Sequence, residues 1–289
     1  MSSRQRLYIL SLPRSGSTLL SRFLDEFDPL LSLPESAFPQ ILDLISESEW
    51  TDREWVAALF QTSSFSGAIL DLSETAACIR GDRFETLEAI ETRCAEKLGR
   101  DPGALRWVAW KTTRVTSRTR WLADSGGRFL ILRRNPLNVF QSQFRVHFGL
   151  HNRNPLRFAL FRASYEAGFS RCPRPETFEI EYARLPEALP ALLAWLGLGA
   201  AAPRQQGESG LRVAANRPWH DNLFNAFENR DPEKVAQIPH HQRWLLRAAI
   251  AAATPLTPLL LPMRARLDLA VWQTIRARAE SLIGRPPNR

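Results

Sequence analysis

A short apolar run near the N-terminus ends in residues of the kind that bind anions. Leu7 to Leu12 is followed by P-R-S-G-S-T at residues 13–18, and apolar residues then recur at helical spacing as far as Phe27. Gly16 lets the backbone approach a ligand closely, and the hydroxyls lie beside the free N–H groups of a helix N-terminus. The stretch therefore predicts a strand-to-helix turn that binds an anion, with Arg14 beside it.

A second basic turn follows at residues 128–145. An apolar run leads into Arg133 and Arg134, and Asn135-Pro136 then opens a helical pattern. Asn is a favoured cap residue and Pro suits the first helical turn, so a helix is expected to begin here. Ser142 stands eight residues after Arg134. The chain thus carries two basic strand-to-helix turns.

The first turn differs from a nucleoside-triphosphate loop, because it lacks that loop's second glycine and its lysine. It resembles the 5′-phosphosulfate loop of sulfotransferases, which take a sulfuryl group from 3′-phosphoadenosine 5′-phosphosulfate (PAPS). The second turn resembles the 3′-phosphate site of the same family, with Asn135 in place of the more usual Asp. The resemblance implies two sets of cofactor-binding residues: Arg14, Ser15, Gly16, Ser17, Thr18 and Leu19 at one end, and Arg134 and Ser142 at the other.

Two weaker resemblances lie further along the chain. Tyr182 opens Y-A-R-L, where the family usually has Y-E-D-L, and this implies that Tyr182 lies near the adenine. Residues 212–224 are faintly similar to a loop with a basic residue and a Trp seven positions later. On that likeness Arg212, with Trp219 behind it, is predicted to contact the cofactor.

Glu35 and Lys111 are the further candidates for catalysis. Glu35 stands in L-P-E-S, twenty-one residues after Arg14. The sequence resembles protein-tyrosine sulfotransferases here, in which a glutamate at the equivalent offset acts as general base; the alternative is that Glu35 caps a helix beginning near Ser36. Lys111 ends an apolar stretch, much as a lysine ends a strand in related sulfotransferases, or is a solvated strand-end residue. Arg14 and Lys111 are expected to stabilise the leaving phosphate.

Apolar runs alternate with amphipathic stretches along the chain. Strands are predicted at 6–12, 68–72, 106–111, 128–133 and 177–182, and helices at 83–98, 114–124, 155–170 and 184–197. This alternation predicts an α/β fold of three layers, P-loop-like, with a central parallel sheet flanked by helices and phosphates at the carboxyl ends of the strands. The chain is expected to be a single domain, 1–289, whose part from 231 onward is helical.

The composition favours anionic partners without choosing among them. The net charge is +8, and all but three of the basic residues are arginine. No basic motif with interleaved aromatic residues is visible, so nucleic acid is not expected. Cys78, Cys94 and Cys172 lack metal-ligand spacing and are expected to be reduced, buried thiols. His147 and His151 suit packing or acceptor lining better than a metal, and no metal is expected.

The location expected from the sequence is the cytoplasm. Only six apolar residues follow M-S-S-R-Q-R, too few for a secretory core. The nearest membrane candidate, Ala248 to Leu261, contains Pro255 and Pro258, so no membrane span is expected. The C-terminal helices could pack on the sheet, cover the acceptor or form a homodimer.

The resemblance implies sulfuryl transfer from PAPS to a hydroxyl acceptor, with adenosine 3′,5′-bisphosphate (PAP) as product. The acceptor could be a tyrosyl, carbohydrate or small-molecule hydroxyl, and its walls are expected from 36–66 and 147–170: Phe38, Trp50, Trp55, Phe60, His147 and Arg153. One alternative is a small-molecule kinase that uses ATP and Mg²⁺, with Asp71 ending a strand as metal ligand. The other is a non-catalytic phosphate-binding protein.

Overall fold

Five parallel strands form the centre of the protein. The computed structural model describes residues 4–63, 69–112, 117, 119–124, 126–145, 154–203 and 231–285. The strands are β1 Gln5–Ser11, β2 Leu30–Leu33, β3 Trp107–Thr112, β4 Arg128–Arg133 and β5 Thr177–Glu181, in the order β2-β3-β1-β4-β5. The predicted parallel sheet is confirmed.

The strand β1 lies in the middle of the sheet. Leu7 of β1 is opposite Ala109 of β3 on one side and Arg128 of β4 on the other. Every residue from Leu7 to Leu10 is fully buried, as expected when helices cover both faces of a parallel sheet. Because all strands run the same way, the segments that follow β1, β2, β3 and β4 meet at one edge.

The helices cover both faces of the sheet and continue beyond it. They are α1 Ser17–Asp25, α2 Phe38–Ile41, α3 Glu47–Trp50, α4 Arg53–Ser63, α5 Leu72–Cys78, α6 Arg83–Lys97, α7 Thr119–Asp124, α8 Pro136–Arg145, α9 Pro155–Phe169, α10 Leu185–Trp195, α11 Asp231–Ala236, α12 His240–Ala253 and α13 Leu261–Leu282. Short 3-10 segments are formed by Leu42–Leu44, Tyr182–Arg184 and Thr254–Leu260.

An apolar core lies on each face of the sheet. Alternate residues of β1 point to opposite faces, so Leu7 and Ile9 join Leu20 of α1 and Leu192 of α10 in one core. The other face of β1 packs into a larger core that contains residues of α2, α4, α6 and α9. The three-layer, P-loop-like arrangement predicted from the sequence is thus confirmed.

One strand prediction was wrong, and one strand was missed. Residues 69–72 do not form a strand: Asp71 accepts a hydrogen bond from Glu74 N at 2.8 Å and caps α5 in a capping box. The second edge strand, β2, was missed because it has only four residues, all buried, between two prolines. The helices predicted at 83–98, 155–170 and 184–197 agree with α6, α9 and α10 within two residues.

The C-terminal region is helical, as predicted, but its prolines do not interrupt it. His240–Leu282 is one helical run of 43 residues. Pro255 stands in the first turn of the 3-10 segment Thr254–Leu260, where its missing N–H is tolerated, and Pro258 lies within that segment. By length and composition alone this run could cross a membrane, and only 11% of its most apolar window is buried.

The three cysteines are free and buried, as expected of structural thiols. Burial raises the pKa of Cys94 and is the main cause that raises the pKa of Cys172 to about 12. These thiols are therefore held in the protonated, unreactive form.

Candidate active site

The turn after β1 has an unusual backbone that leaves a helix end uncapped. Arg14 has φ 74° and Gly16 has φ 93°, both in the left-handed region that a non-glycine residue rarely adopts. Ser15 N donates to Leu12 O at 3.1 Å, which closes the turn. Gly16 is the N-cap of α1, and no side chain caps this helix. The first N–H groups of a helix have no partner within it, so the turn presents donors suited to an anion.

Tyr182 lies directly on this turn. A Cβ atom added to Gly16 would lie 2.3 Å from Cε2 of the Tyr182 ring, so only glycine fits beneath it. The Arg134 guanidinium carbon lies 4.2 Å from the centroid of the same ring, in a cation–π contact. The structure therefore brings Gly16, Arg134 and Tyr182 together, although they follow three different strands.

A buried hydroxyl in the turn has no partner among the residues that the structure describes. Ser15 is fully buried, and its Oγ has no hydrogen-bond partner among the described residues. Buried polar atoms are almost always hydrogen-bonded, so an unpartnered one at an anion-binding turn fits a site that a ligand completes. Leu19, also predicted here, uses its backbone N–H to donate to Gly16 O at 3.0 Å.

Lys111 joins the turn to the predicted base. It stands near the carboxyl end of β3, as expected, and is 7% exposed. Its Nζ donates to Thr18 Oγ1 at 2.7 Å and lies 3.2 Å from Glu35 Oε2. The buried Lys111 ammonium thus contacts both the turn after β1 and the Glu35 carboxylate. The alternative of a solvated strand-end lysine is wrong.

Glu35 is held by the chain just after β2. The helix α2 begins at Phe38 with Ala37 as its N-cap and no side-chain cap, so Glu35 does not cap it. The next residue, Ser36, donates its N–H to Lys111 O at 2.9 Å, which fixes this segment against β3. The Glu35 side chain remains 18% exposed. Its carboxylate can therefore meet both Lys111 and a ligand.

The two predicted phosphate-binding segments contact each other through Arg14. Arg14 Nε donates to Ser142 Oγ at 3.3 Å, and Arg134 Nη1 donates to Arg14 O at 3.0 Å. Burial lowers the pKa of the Arg14 guanidinium, the nearby charge of Arg134 lowers it further, and Glu35 opposes both. A second positive charge so close to Arg14 is stabilised by an anion between or beside them.

Asn135 immediately precedes α8 and caps it, as predicted. Its Oδ1 accepts from Leu137 N at 3.0 Å, so the residue that replaces the family's more usual Asp still caps the helix.

Asp231 was not found from the sequence. It is the first residue of α11, 6% exposed, and its carboxylate accepts from Arg134 Nε at 3.0 and 3.1 Å and from Nη2. The D-P-E-K pattern predicts a helix N-terminus there but not its partner, ninety-seven residues away. An anion that binds Arg134 must therefore compete with Asp231.

A buried polar cluster of Tyr165, Arg264 and Asp268 was also missed. The Arg264 guanidinium carbon lies 4.3 Å from the Tyr165 ring centroid, and its Nε donates to Asp268 Oδ1 at 2.7 Å. Asp268 Oδ2 in turn accepts from Ser117 N at 2.8 Å. Burial is the largest cause that raises the pKa of Tyr165 to about 12; Asp268 and Glu35 add to it and Arg264 opposes. The C-terminal helix α13 thus supplies Arg264 and Asp268 to a buried cluster with Tyr165 of α9.

Four of the residues predicted for the acceptor wall are not on an open surface. Phe38, Trp50, Trp55 and Phe60 belong to the larger core and are at most 4% exposed. The helices α2 to α4 turn their aromatic faces inward, and aromatic spacing alone does not distinguish a core face from a cleft. The remaining predicted residues, His147, His151, Arg153, Arg212 and Trp219, lie outside the described residues.

Asp71 does not fit the metal ligand that a kinase requires. It caps α5 rather than ending a strand at the site. Within the ranges that the structure describes, no three His, Cys, Asp or Glu side chains are grouped to hold a metal ion.

Comparison with known proteins identifies the family. Residues 6–198, which contain both turns, Glu35, Lys111 and Tyr182, match the model described as the sulfotransferase family. No curated protein matches the chain.

Three solved structures are similar to the protein. A sulfotransferase domain from the curacin biosynthetic pathway is 20% identical, with a TM-score of 0.45 over 74% of this chain and 83% of that one. A sulfotransferase from Alicyclobacillus acidocaldarius is 16% identical, with a TM-score of 0.48 over 98% and 97%. A retinol dehydratase in complex with androsterone and the inactive cofactor PAP is 14% identical, with a TM-score of 0.30 over 83% and 72%. Because the family model spans two thirds of the sequence, including the turn, the carboxylate and the lysine, this chain belongs to the sulfotransferase family.

Proposed function

We propose that the protein transfers a sulfuryl group from PAPS to the hydroxyl of an acceptor, with Glu35 as general base. The observation that carries this proposal is the position of Lys111, whose Nζ lies 2.7 Å from Thr18 Oγ1 and 3.2 Å from Glu35 Oε2. Donor loop and base are therefore within reach of one ammonium. Sulfuryl transfer requires that the group that stabilises the donor's leaving phosphate and the group that accepts the acceptor's proton lie close to each other.

The residues of the turn fit a phosphosulfate. The α1 N-terminus has no side-chain cap, Ser15 Oγ is buried without a described partner, and Gly16 has space for no side chain. Arg14 within the turn and Lys111 beside it add positive charge. When bound, PAPS supplies the sulfuryl group and leaves as PAP.

Each catalytic side chain has a distinct role in the proposal. Glu35 accepts the proton of the acceptor hydroxyl while that oxygen forms its bond to sulfur. Lys111 and Arg14 stabilise the negative charge that collects on the phosphate oxygen as the other S–O bond breaks, and this oxygen keeps the electron pair. Lys111 also orients Glu35 through their ion pair.

At the other end of the cofactor site, Arg134, Ser142 and Tyr182 are proposed to bind the 3′-phosphate and the adenine. The Arg134 side chain is 7% exposed and pairs with the carboxylate of Asp231. Its guanidinium is therefore already positioned to bind an anion, and a phosphate would take the place of that carboxylate. We also propose that Arg212 contacts the cofactor, on the sequence resemblance alone. The acceptor remains defined by its chemistry, a tyrosyl, carbohydrate or small-molecule hydroxyl.

Thermal shift with three nucleotides separates this function from its rivals. PAP should raise the melting temperature, because a ligand at 100 times its Kd stabilises the native state by about 2.7 kcal/mol. Adenosine 5′-monophosphate, which lacks the 3′-phosphate, should raise it much less. A larger shift with ATP plus Mg²⁺ than with PAP would contradict the proposal and favour a kinase. A shift with inorganic phosphate equal to that with PAP would favour a phosphate-binding protein.

A further inference from the structure

The helix α12 is apolar on both of its faces. Its inner face places Ala253 against Ala159 and Ala163 of α9. Its outer face exposes Trp244 by 63% and Leu245 by 47%, with Ala248, Ala251 and Ala252 beside them. Large apolar side chains of a surface helix normally face the core, and Trp244 and Leu245 do not.

The apolar surface continues into the 3-10 segment Thr254–Leu260. Leu256 is 41% exposed and Leu259 is 73% exposed, while the segment packs against α9 by its other side. We call the exposed side chains of Trp244, Leu245, Leu256 and Leu259 the outer apolar patch. Two pairs of large exposed apolar side chains, about three helical turns apart with the exposed Ala248, Ala251 and Ala252 between them, line this run, and exposed apolar surface of this extent is typical of an interaction site.

The exposed charges of the C-terminal helical region have one sign. From 240 to 285, all of which the structure describes, the two acidic residues are Asp268 and Glu280, and both are buried. The exposed charged side chains of this range are arginines: Arg247, Arg266, Arg278 and Arg285, of which Arg278 and Arg285 lie at the far end of α13 and Arg285 pairs with Asp52. Arg247 lies one helical turn from Trp244, so positive charge borders the apolar surface directly.

We propose that the outer apolar patch binds the surface of an anionic lipid bilayer, with α12 lying in the plane of the interface. Exposed Trp and Leu enter the boundary between headgroups and acyl chains, and neighbouring arginines attract anionic headgroups. The whole protein carries a net charge of +8, which adds to this attraction. The contacts of α12 with α9 are retained in this orientation, because only the outer face is used.

A second copy of this chain suits the outer apolar patch less well than an anionic bilayer does. A two-fold symmetric contact places the same surface on both sides, so Arg247 and Arg266 of one copy would approach those of the other with no exposed carboxylate from 240 to 285 between them. A membrane span is also disfavoured, because the same helical run continues into α13, which buries Arg264 and Asp268 within the protein. An anionic bilayer surface is therefore the binding partner whose charge complements that of the arginines.

Flotation with lipid vesicles tests the proposal on the full-length chain. We expect it to float with vesicles of phosphatidylcholine and phosphatidylglycerol, to float far less with phosphatidylcholine alone, and to be released by high salt. Trp244→Ser with Leu259→Ser should lower vesicle affinity by at least about ten-fold. The matched control is Leu282→Ser, equally apolar and 52% exposed, but at the far end of α13. It should bind as the unmodified protein does.

A second pair of variants tests the electrostatic part independently of the apolar one. Arg247→Glu should weaken binding to anionic vesicles several-fold, whereas Arg247→Lys, which keeps the charge, should not. Equal binding of Trp244→Ser with Leu259→Ser, or equal binding to neutral and anionic vesicles, would overturn the proposal. So would a dimer in light scattering that these substitutions dissociate, or resistance of the bound protein to extraction by alkaline carbonate.

Discussion

Lys111 Nζ lies 3.2 Å from Glu35 Oε2, and its second contact, with Thr18 Oγ1 at 2.7 Å, ties this ion pair to the turn after β1. The three residues follow or end different strands that meet at the carboxyl edge of the sheet. Their proximity is a consequence of the parallel topology, and it gives the proposed base and the proposed donor site a common positive charge.

Replacing Glu35 tests the base. Glu35→Gln preserves size and should lower turnover about 10²–10⁴-fold, because the acceptor hydroxyl loses its proton acceptor. Affinity for PAP, measured by calorimetry, should stay nearly unchanged, because the turn and Arg14 are intact. Turnover equal to that of the unmodified enzyme would remove Glu35 from the mechanism.

Replacing Lys111 should affect both the transfer reaction and the binding of PAP. Lys111→Met keeps most of the length but removes the charge, so we expect turnover to fall about 10²–10³-fold and PAP to bind more weakly. Lys97→Met is a suitable control, because Lys97 forms a surface ion pair with Glu74 at 2.6 Å, away from β3. If both variants retain full activity, Lys111 has no role in charge stabilisation.

Gly16 is required for two separate reasons, backbone conformation and space. Gly16→Ala should destabilise the protein by about 1–3 kcal/mol in chemical denaturation, from the positive φ and from contact with the Tyr182 ring. Gly99→Ala is the matched control, since Gly99 has φ 65° but no described atom within 4 Å of an added Cβ. A larger loss at Gly16 than at Gly99 measures the effect of Tyr182. Equal losses would mean that the ring moves aside at no cost.

Asp231 should oppose binding of the nucleotide at Arg134. Asp231→Asn removes the competing negative charge, so PAP affinity should rise several-fold while the melting temperature without ligand falls, because Arg134 loses its buried partner.

Replacing Arg134 tests the proposed 3′-phosphate site. Arg134→Ala should weaken the binding of PAP and leave the binding of adenosine 5′-phosphosulfate, which has no 3′-phosphate, nearly unaffected. Arg133→Ala serves as the control, since Arg133 pairs with Glu166 and Glu179. Equal loss from both arginines would contradict the assignment.

Local pattern predicted the parts of the site that are continuous in sequence. The turns after β1 and β4 each combine a buried strand, a basic or glycine turn and a helix start, and these features are set by neighbouring residues. Glu35 and Lys111 could be proposed for the same reason, because each follows or ends an apolar run.

Contacts between distant segments could not be predicted in this way. Asp231 meets Arg134 only because α11 packs against α8, and no pattern near Asp231 indicates its partner. Tyr165 and Arg264 are brought together by the packing of α13 on α9. Likewise, Phe38 and Trp50 are aromatic residues of the kind that line binding sites. They are buried because other elements pack over them on that face of the sheet, which local sequence does not indicate.

The most direct test of the central claim is transfer of radiolabelled sulfur. The unmodified protein and Glu35→Gln are incubated side by side with PAPS labelled in its sulfuryl group and a panel of phenolic, tyrosyl-peptide, carbohydrate and small alcohol acceptors. We predict labelled product and stoichiometric PAP with at least one acceptor class, and a rate about 10²–10⁴-fold lower for the variant. Failure to label any acceptor, together with phosphoryl transfer from ATP and Mg²⁺ to one of them, would contradict the account.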